Sequence, residues 1–287
     1  MLSALLGLLG GAIYGASDFF GGLSAGRMRA EKVTAITSVA GLVLLCITAL
    51  FFGATFSPAA FGWGALAGVA GALSLVLLYG CLAIGPMSIL APIMALVSAV
   101  IPITIAFARG ERLSAIGYLG LVVGLVALVL ICLVPGRQVV RPTLRGILMA
   151  VGAGVGVGLY LFLIDLSPPD SGLAPLIVVF AVSGLITSIA VLVRRLVAGT
   201  APAPVPGPWW KSGFTLALLA GITDTTASIL FLAALRLGDL SVVSVLNALS
   251  PAGTILLAAV VLKERVAPVQ WCGLAVALIA AALLAQA

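Results

Sequence analysis

Apolar stretches of about 20 residues recur from one end of this chain to the other. They cover approximately 2–23, 33–53, 61–84, 86–108, 114–134, 145–165, 173–193, 212–235, 240–262 and 266–285. A bilayer core about 30 Å thick needs about 20 such residues in a helix. In lipid the backbone must satisfy its own polar groups, which a helix does. The expected fold is an all-α integral membrane protein of ten transmembrane helices. Composition agrees: 63% of the 287 residues are hydrophobic and 8% are charged. Soluble domains carry about 25% charge.

The breaks between runs are short and polar or contain proline. They include "SAGRMRAEK", "ARGERL", "VPGRQVVRPTLR" and "DLSPPDSG". The longest, "RRLVAGTAPAPVPGPWWK", ends on Trp209, Trp210 and Lys211, which fit an interfacial anchor. The tight boundary Gly85-Pro86 predicts a close antiparallel hairpin of spans three and four. The start, "MLSALLGLLGG", lacks the basic region of a signal peptide and is expected to stay as the first span.

Glycines recur at the small-xxx-small spacing on which close helix packing in lipid depends. Gly11/Gly15, Gly64/Gly68, Gly120/Gly124, Gly152/Gly156 and Gly154/Gly158 are cases. The stretch "GAGVGVG" follows no predicted strand, so it is not read as a nucleotide loop.

Several chemistries are disfavoured. There is no histidine, hence no His triad, His metal site or imidazole relay. No GxxxxGK[ST] occurs. Cys46, Cys81, Cys132 and Cys272 sit in apolar segments without CxxC spacing and read as small buried hydrophobes. No cofactor or metal is expected, and isolated acids without His do not make an intramembrane enzyme. The net charge of +6 forms no basic stripe, so nucleic acid is not an expected partner.

The chain repeats itself. A shift of 153 residues lays Glu111-Arg112 on Glu264-Arg265, Ser88 on Ser241, Ala95-Leu96 on Ala248-Leu249 and Gly120-Leu121 on Gly273-Leu274. Earlier in each half the shift is 143, which lays Gly11 and Gly15 on Gly154 and Gly158. Two five-span repeats follow, residues 1–134 and 145–287, joined by a connecting loop at 135–144. Five is odd, so the two copies must insert with opposite orientation. Inverted repeats belong to secondary transporters, whose solute site lies near midplane between the repeats. Eleven of the fourteen basic residues fall in connections 1–2, 5–6, 7–8 and 9–10. The positive-inside bias then puts both termini outside the cytoplasm.

The stretches "LYGCLAIGPMSILAPIMALVSAVIPITIAFARGERLSAIGYLGLVVGLVALVLI" (78–131) and "LAALRLGDLSVVSVLNALSPAGTILLAAVVLKERVAPVQWCGLAVALIAAALL" (232–284) share a small-residue helix end, a proline-bearing helix and a glutamate at its far end. A Gly-rich helix ends each. In this the chain resembles the EamA-type members of the drug/metabolite transporter superfamily, over essentially its whole length. The resemblance implies a carrier for small organic solutes, with a cavity lined mainly by spans 1, 3, 4, 6, 8 and 9. Tyr14-Gly15 stands where such proteins more usually carry Trp-Gly, and the resemblance does not fix the solute.

Candidate site residues are the polar groups inside the spans. A carboxylate at a helix centre costs about 2.5–3.5 kcal/mol on insertion scales. Asp18 shares a helical face with Gly11, Tyr14, Gly15 and Gly22. It lies nine residues before Arg27, about 13 Å along a helix and so toward the basic side. It reads as a gate or a binding group for a cation, an ammonium or a proton, with neighbouring Ser17; the alternative is a structural pair. Asp224, about midway along span eight, shares a face with Gly221, Thr225 and Ser228, and its repeat counterpart is Gly71. Asn247, ahead of Pro251, is a neutral binding candidate, with interhelical bonding as the alternative. Pro251 should free a carbonyl, and Pro92 and Pro102 should bend span four. Tyr14, Tyr79 and Tyr160 are placed to cup a solute or to pack.

The expected function is a secondary transporter of a small organic metabolite, amino-acid- or amine-like. It would export across the cytoplasmic (inner) membrane of a bacterium by alternating access. A proton is a candidate coupling ion, and the chain is expected as a monomer or homodimer. The alternatives are a nutrient importer of the same fold and a non-transporting scaffold or receptor.

Overall fold

The computed structural model describes residues 1–84, 87–133, 143–198, 212–263 and 266–286, with only the backbone described at 79, 82–84, 87–89 and 91–92. Helices form on the apolar runs: α1 (Leu2–Ala25), α2 (Ala30–Phe52), α3 (Pro58–Ile84), α4 (Met87–Ala108), α5 (Ala115–Cys132), α6 (Leu144–Asp165), α7 (Ala174–Ala198), α8 (Gly213–Leu237), α9 (Leu240–Ala248), α10 (Pro251–Val261) and α11 (Pro268–Leu284). Among the described residues, eight helical stretches are long and apolar enough to cross a membrane, Leu240–Val261 counting as one. Ile93–Ala108 and Pro268–Leu284 are apolar but shorter. Hydroxyl caps set four of the described starts: Ser57, Ser114, Thr143 and Ser212 accept from the N–H groups of Ala60, Gly117, Gly146 and Thr215.

The ninth run is interrupted between Ala248 and Pro251. Pro251 has no N–H to give, and the amides of Ser250, Ala252 and Gly253 bond three residues back. One of these, Ser250 N–H, takes the Asn247 carbonyl at 3.0 Å. The carbonyl that proline was expected to free is therefore occupied. By contrast α4 stays one helix through Pro92 and Pro102.

Packing departs from the expected hairpin of spans three and four, because α6 is wedged between α3 and α4. Alternate glycines of α6 face the two neighbours. A Cβ on Gly152 or Gly156 would meet Leu77 or Ser74 of α3. One on Gly154 or Gly158 would meet Met94 and Val97, or Ile101 and Pro102, of α4. This is the stretch "GAGVGVG", and its role is close contact on two sides. Helix α1 sits the same way between α8 and the α9–α10 pair. Gly10 abuts Phe231 of α8, while Gly11 and Gly15 abut the backbone at Leu246 and Ser250. Further close pairs are α5 with α11, α2 with α7 and α8, and α3 with α7. The Gly85-Pro86 turn, the Trp209-Trp210-Lys211 anchor and the Glu264-Arg265 pair lie outside the described residues. Cys81 and Cys132 are buried, whereas Cys46 and Cys272 lie on the outer surface of the bundle, so only the first two are the buried hydrophobes expected of all four.

Candidate functional site

Six helices converge on a cavity at mid-height. Tyr14 comes from α1, Ser38 from α2, and Gly71, Ser74 and Leu75 from α3. Val157 and Tyr160 come from α6, Val179, Phe180 and Ser183 from α7, and Asp224 and Ser228 from α8. The space measures about 40 Å³, against about 10–15 Å³ for one water on the same measure. It therefore has room for a few waters.

Asp224 is 8% exposed and is the charged residue of the lining. Tyr160 donates its hydroxyl to Ser228 Oγ at 3.3 Å, one helical turn from Asp224. Tyr14 stands edge-on to Phe231, with ring centroids 6.1 Å apart. Ser38 and Ser183 share a hydrogen bond at 3.1 Å, and Ser74 donates to the Ala153 carbonyl at 2.7 Å. Their hydroxyls tie α2 to α7 and α3 to α6, so the wall is rigid where it is polar.

Of the residues picked from sequence, Tyr14, Tyr160 and Asp224 line this cavity. Asp18 does not line it, but it is half-buried and lies within electrostatic reach of Asp224. Ser17 is occupied elsewhere, donating to the Ala220 carbonyl of α8 at 3.0 Å. Ser17→Ala is expected to cost about 0.6 kcal/mol, the usual worth of such a bond in a membrane protein. Thermal unfolding in detergent would measure it. Thr225 is fully buried beside Gly41 and Phe180, its hydroxyl without a hydrogen-bond partner. Asn247 is buried in α9, away from this lining. The Tyr79 side chain is outside the described residues. Helices α2 and α7 supply wall where spans four and nine were implied. Their serines, Ser38 and Ser183, escaped the sequence reading because a lone serine in an apolar run carries no periodic mark.

The end of the bundle that holds the N-terminus is tied shut across several helices. Ala54 and Gly172 form a β-bridge, and Thr55 N–H donates to the Ser171 carbonyl at 3.0 Å. Arg236 donates to the Gly172 carbonyl at 2.8 Å. Arg109 pairs with Asp165 at 2.7 Å and lies 5.8 Å from the centre of the Phe162 ring. Glu111 accepts from Ser241 N–H at 3.2 Å and from the Ser241 hydroxyl, and so caps α9 from the loop after α4. At the opposite end Ser24 donates to the Gly213 carbonyl at 2.7 Å, and Arg194 pairs with Glu31 at 2.7 Å.

Burial pushes the Glu111 carboxyl above the usual carboxylate range; the Ser241 hydroxyl draws it back, and Asp239 nearby adds to the rise. An acid raised in the folded state stabilises most below its unfolded pKa. That contribution is lost as pH rises through the folded value. Wild type is therefore expected to lose a small increment of thermal stability over that rise, and Glu111→Gln to lack it. Parallel melting curves against pH would show the difference.

Residues 144–286 match the model of the EamA-like transporter family. This half of the chain belongs to the EamA-like transporter family. The EamA-type resemblance is thereby borne out over residues 144–286, which hold the second of the two stretches, and with it a membrane transporter of the drug/metabolite type. A solved crystal structure, described only as "Crystal structure of protein", superposes with a TM-score of 0.75 at 19% identity. The match covers 98% of this chain and 95% of that one. At that identity the likeness speaks for the fold. No curated protein matches the chain.

Proposed function

We propose that this EamA-type protein is a secondary transporter exporting a small organic metabolite, amino-acid- or amine-like, across the cytoplasmic membrane by alternating access. Ten spans form two five-helix repeats of opposite orientation, residues 1–134 and 145–287, joined by 135–144, with both termini outside. The carrying observation is the mid-height cavity, walled by three helices of each half around a buried acid. Pairwise packing supports the repeat: α1 lies against α8, α9 and α10, as α6 lies against α3 and α4. The bound solute would sit among Asp224, Tyr14, Tyr160 and the cavity serines. With the termini outside, the ties at the N-terminal end would hold the carrier closed to the outside. Asp18, within electrostatic reach of Asp224, is the candidate carrier of a coupling proton.

Reconstitution into liposomes tests the proposal. Flux of labelled metabolites is followed with and without an imposed pH gradient. Transport that the gradient accelerates supports a coupled carrier, and transport indifferent to it supports facilitated export. No flux across amino acids, amines and nucleosides would end the transporter reading.

A further inference from the structure

The charge inside the bundle is all of one sign. Every described Lys and Arg lies in a loop or within four residues of a helix end; Lys32, Arg194 and Arg195 reach furthest in. Arg137, Arg141, Lys211 and Arg265 fall outside the described residues. There is no histidine. Asp18, by contrast, stands seven residues from the end of α1, and Asp224 is the twelfth of 25 residues in α8. Asp224 therefore brings an acid to the cavity lining, and no described Lys or Arg is in that lining.

The rest of the lining favours the same kind of guest. Tyr14, Tyr160 and Phe180 present ring surface to the cavity beside Asp224. Aromatic faces attract a desolvated cation through the ring quadrupole. A carboxylate on the guest would face the charge of Asp224. Like charges in a poorly solvated cavity repel strongly.

We infer that the solute is an organic ammonium ion without a carboxylate, held by Asp224 and the rings of Tyr14, Tyr160 and Phe180, and that zwitterionic amino acids are rejected. This narrows the transporter reading above and rests on it. The site selects by charge, with Gly71 opposite Tyr160 leaving room where the repeat places Asp224 in the other half.

The experiment compares solutes that differ by one carboxylate, in liposomes bearing the full chain. Choline is set against glycine betaine, and cadaverine against lysine. One cation at least is expected to move about tenfold faster than its carboxylate-bearing counterpart. Asp224→Asn is expected to lower that flux at least tenfold, and Asp224→Glu to restore part of it. A zwitterion moving within twofold of its cation, or an Asn variant carrying the cation at the wild-type rate, overturns the inference. Flux of neutral or zwitterionic solutes with none of either cation also overturns it, while leaving the transporter standing. Silence toward every solute overturns both. The wild-type comparison decides the matter even if a variant fails to fold.

Discussion

Asp224→Asn is expected to reduce transport by one to two orders of magnitude while leaving the protein folded. The substitution keeps the shape of the side chain and removes only its charge. Asp224 is the charged group of the cavity lining, and in that surrounding its attraction for a cation is weakly screened. Truncating one partner of a buried charged pair costs about 2–5 kcal/mol, and each 1.4 kcal/mol is about tenfold. Stability should move the other way or not at all. An ionised carboxylate taken out of water costs several kcal/mol, so a neutral amide at this depth relieves the fold. Initial flux rates and melting temperatures on the same preparations would check both halves of the expectation. A variant transporting within twofold of wild type would remove Asp224 from the site.

Gly15→Ala is expected to be the most damaging single methyl in α1. The added Cβ would overlap the Ser250 carbonyl oxygen and come within 2.7 Å of the Thr254 nitrogen and 2.9 Å of the Gly253 Cα. All three are backbone, so no side chain can turn aside. Helix α1 must instead lift off α9 and α10, losing the bond from the Thr254 hydroxyl to the Gly15 carbonyl at 2.8 Å. Overpacking usually costs about 1–3 kcal/mol, and a rigid neighbour puts this case at the upper end or beyond. A fall in melting temperature of roughly 5–10 °C is expected, or loss of monodisperse protein. Gly22→Ala is the matched control. It lies two turns further along the same helix, and a Cβ there meets nothing within 4 Å. It should be neutral or slightly stabilising, since glycine weakens helices. Equal effects of the two changes would show that intrinsic helix propensity, rather than the contact, governs α1.

Much of this was legible in the sequence because lipid leaves so few solutions. Each apolar run became helix, and the glycine pairs became the close contacts they promised. Gly11 and Gly15 meet Leu246 and Ser250, and Gly64 and Gly68 meet α7 at Pro175 and Val179. The central acid of span eight lines the cavity, as its depth led one to expect. What stayed hidden was set by pairing across the halves. Nothing in "GAGVGVG" says that α6 will part α3 from α4. Ser17 and Ser74 have the same look in sequence, yet one bonds α8 away from the cavity lining and the other bonds α6 within it. Glu111 showed in the sequence only as the repeat match of Glu264, and only the fold brings Ser241 to it from 130 residues away.

The alternating glycines of α6 bear on movement as well as on fit. Interlocked side chains must unlatch before two helices can shift. Helix α6 offers α3 and α4 two strips of bare backbone instead, at Gly152 and Gly156 and at Gly154 and Gly158. Such surfaces can glide by small steps without any rotamer having to change, which is the shear type of domain motion. A bulky residue in that strip would be expected to slow turnover even in a protein that still folds and still binds.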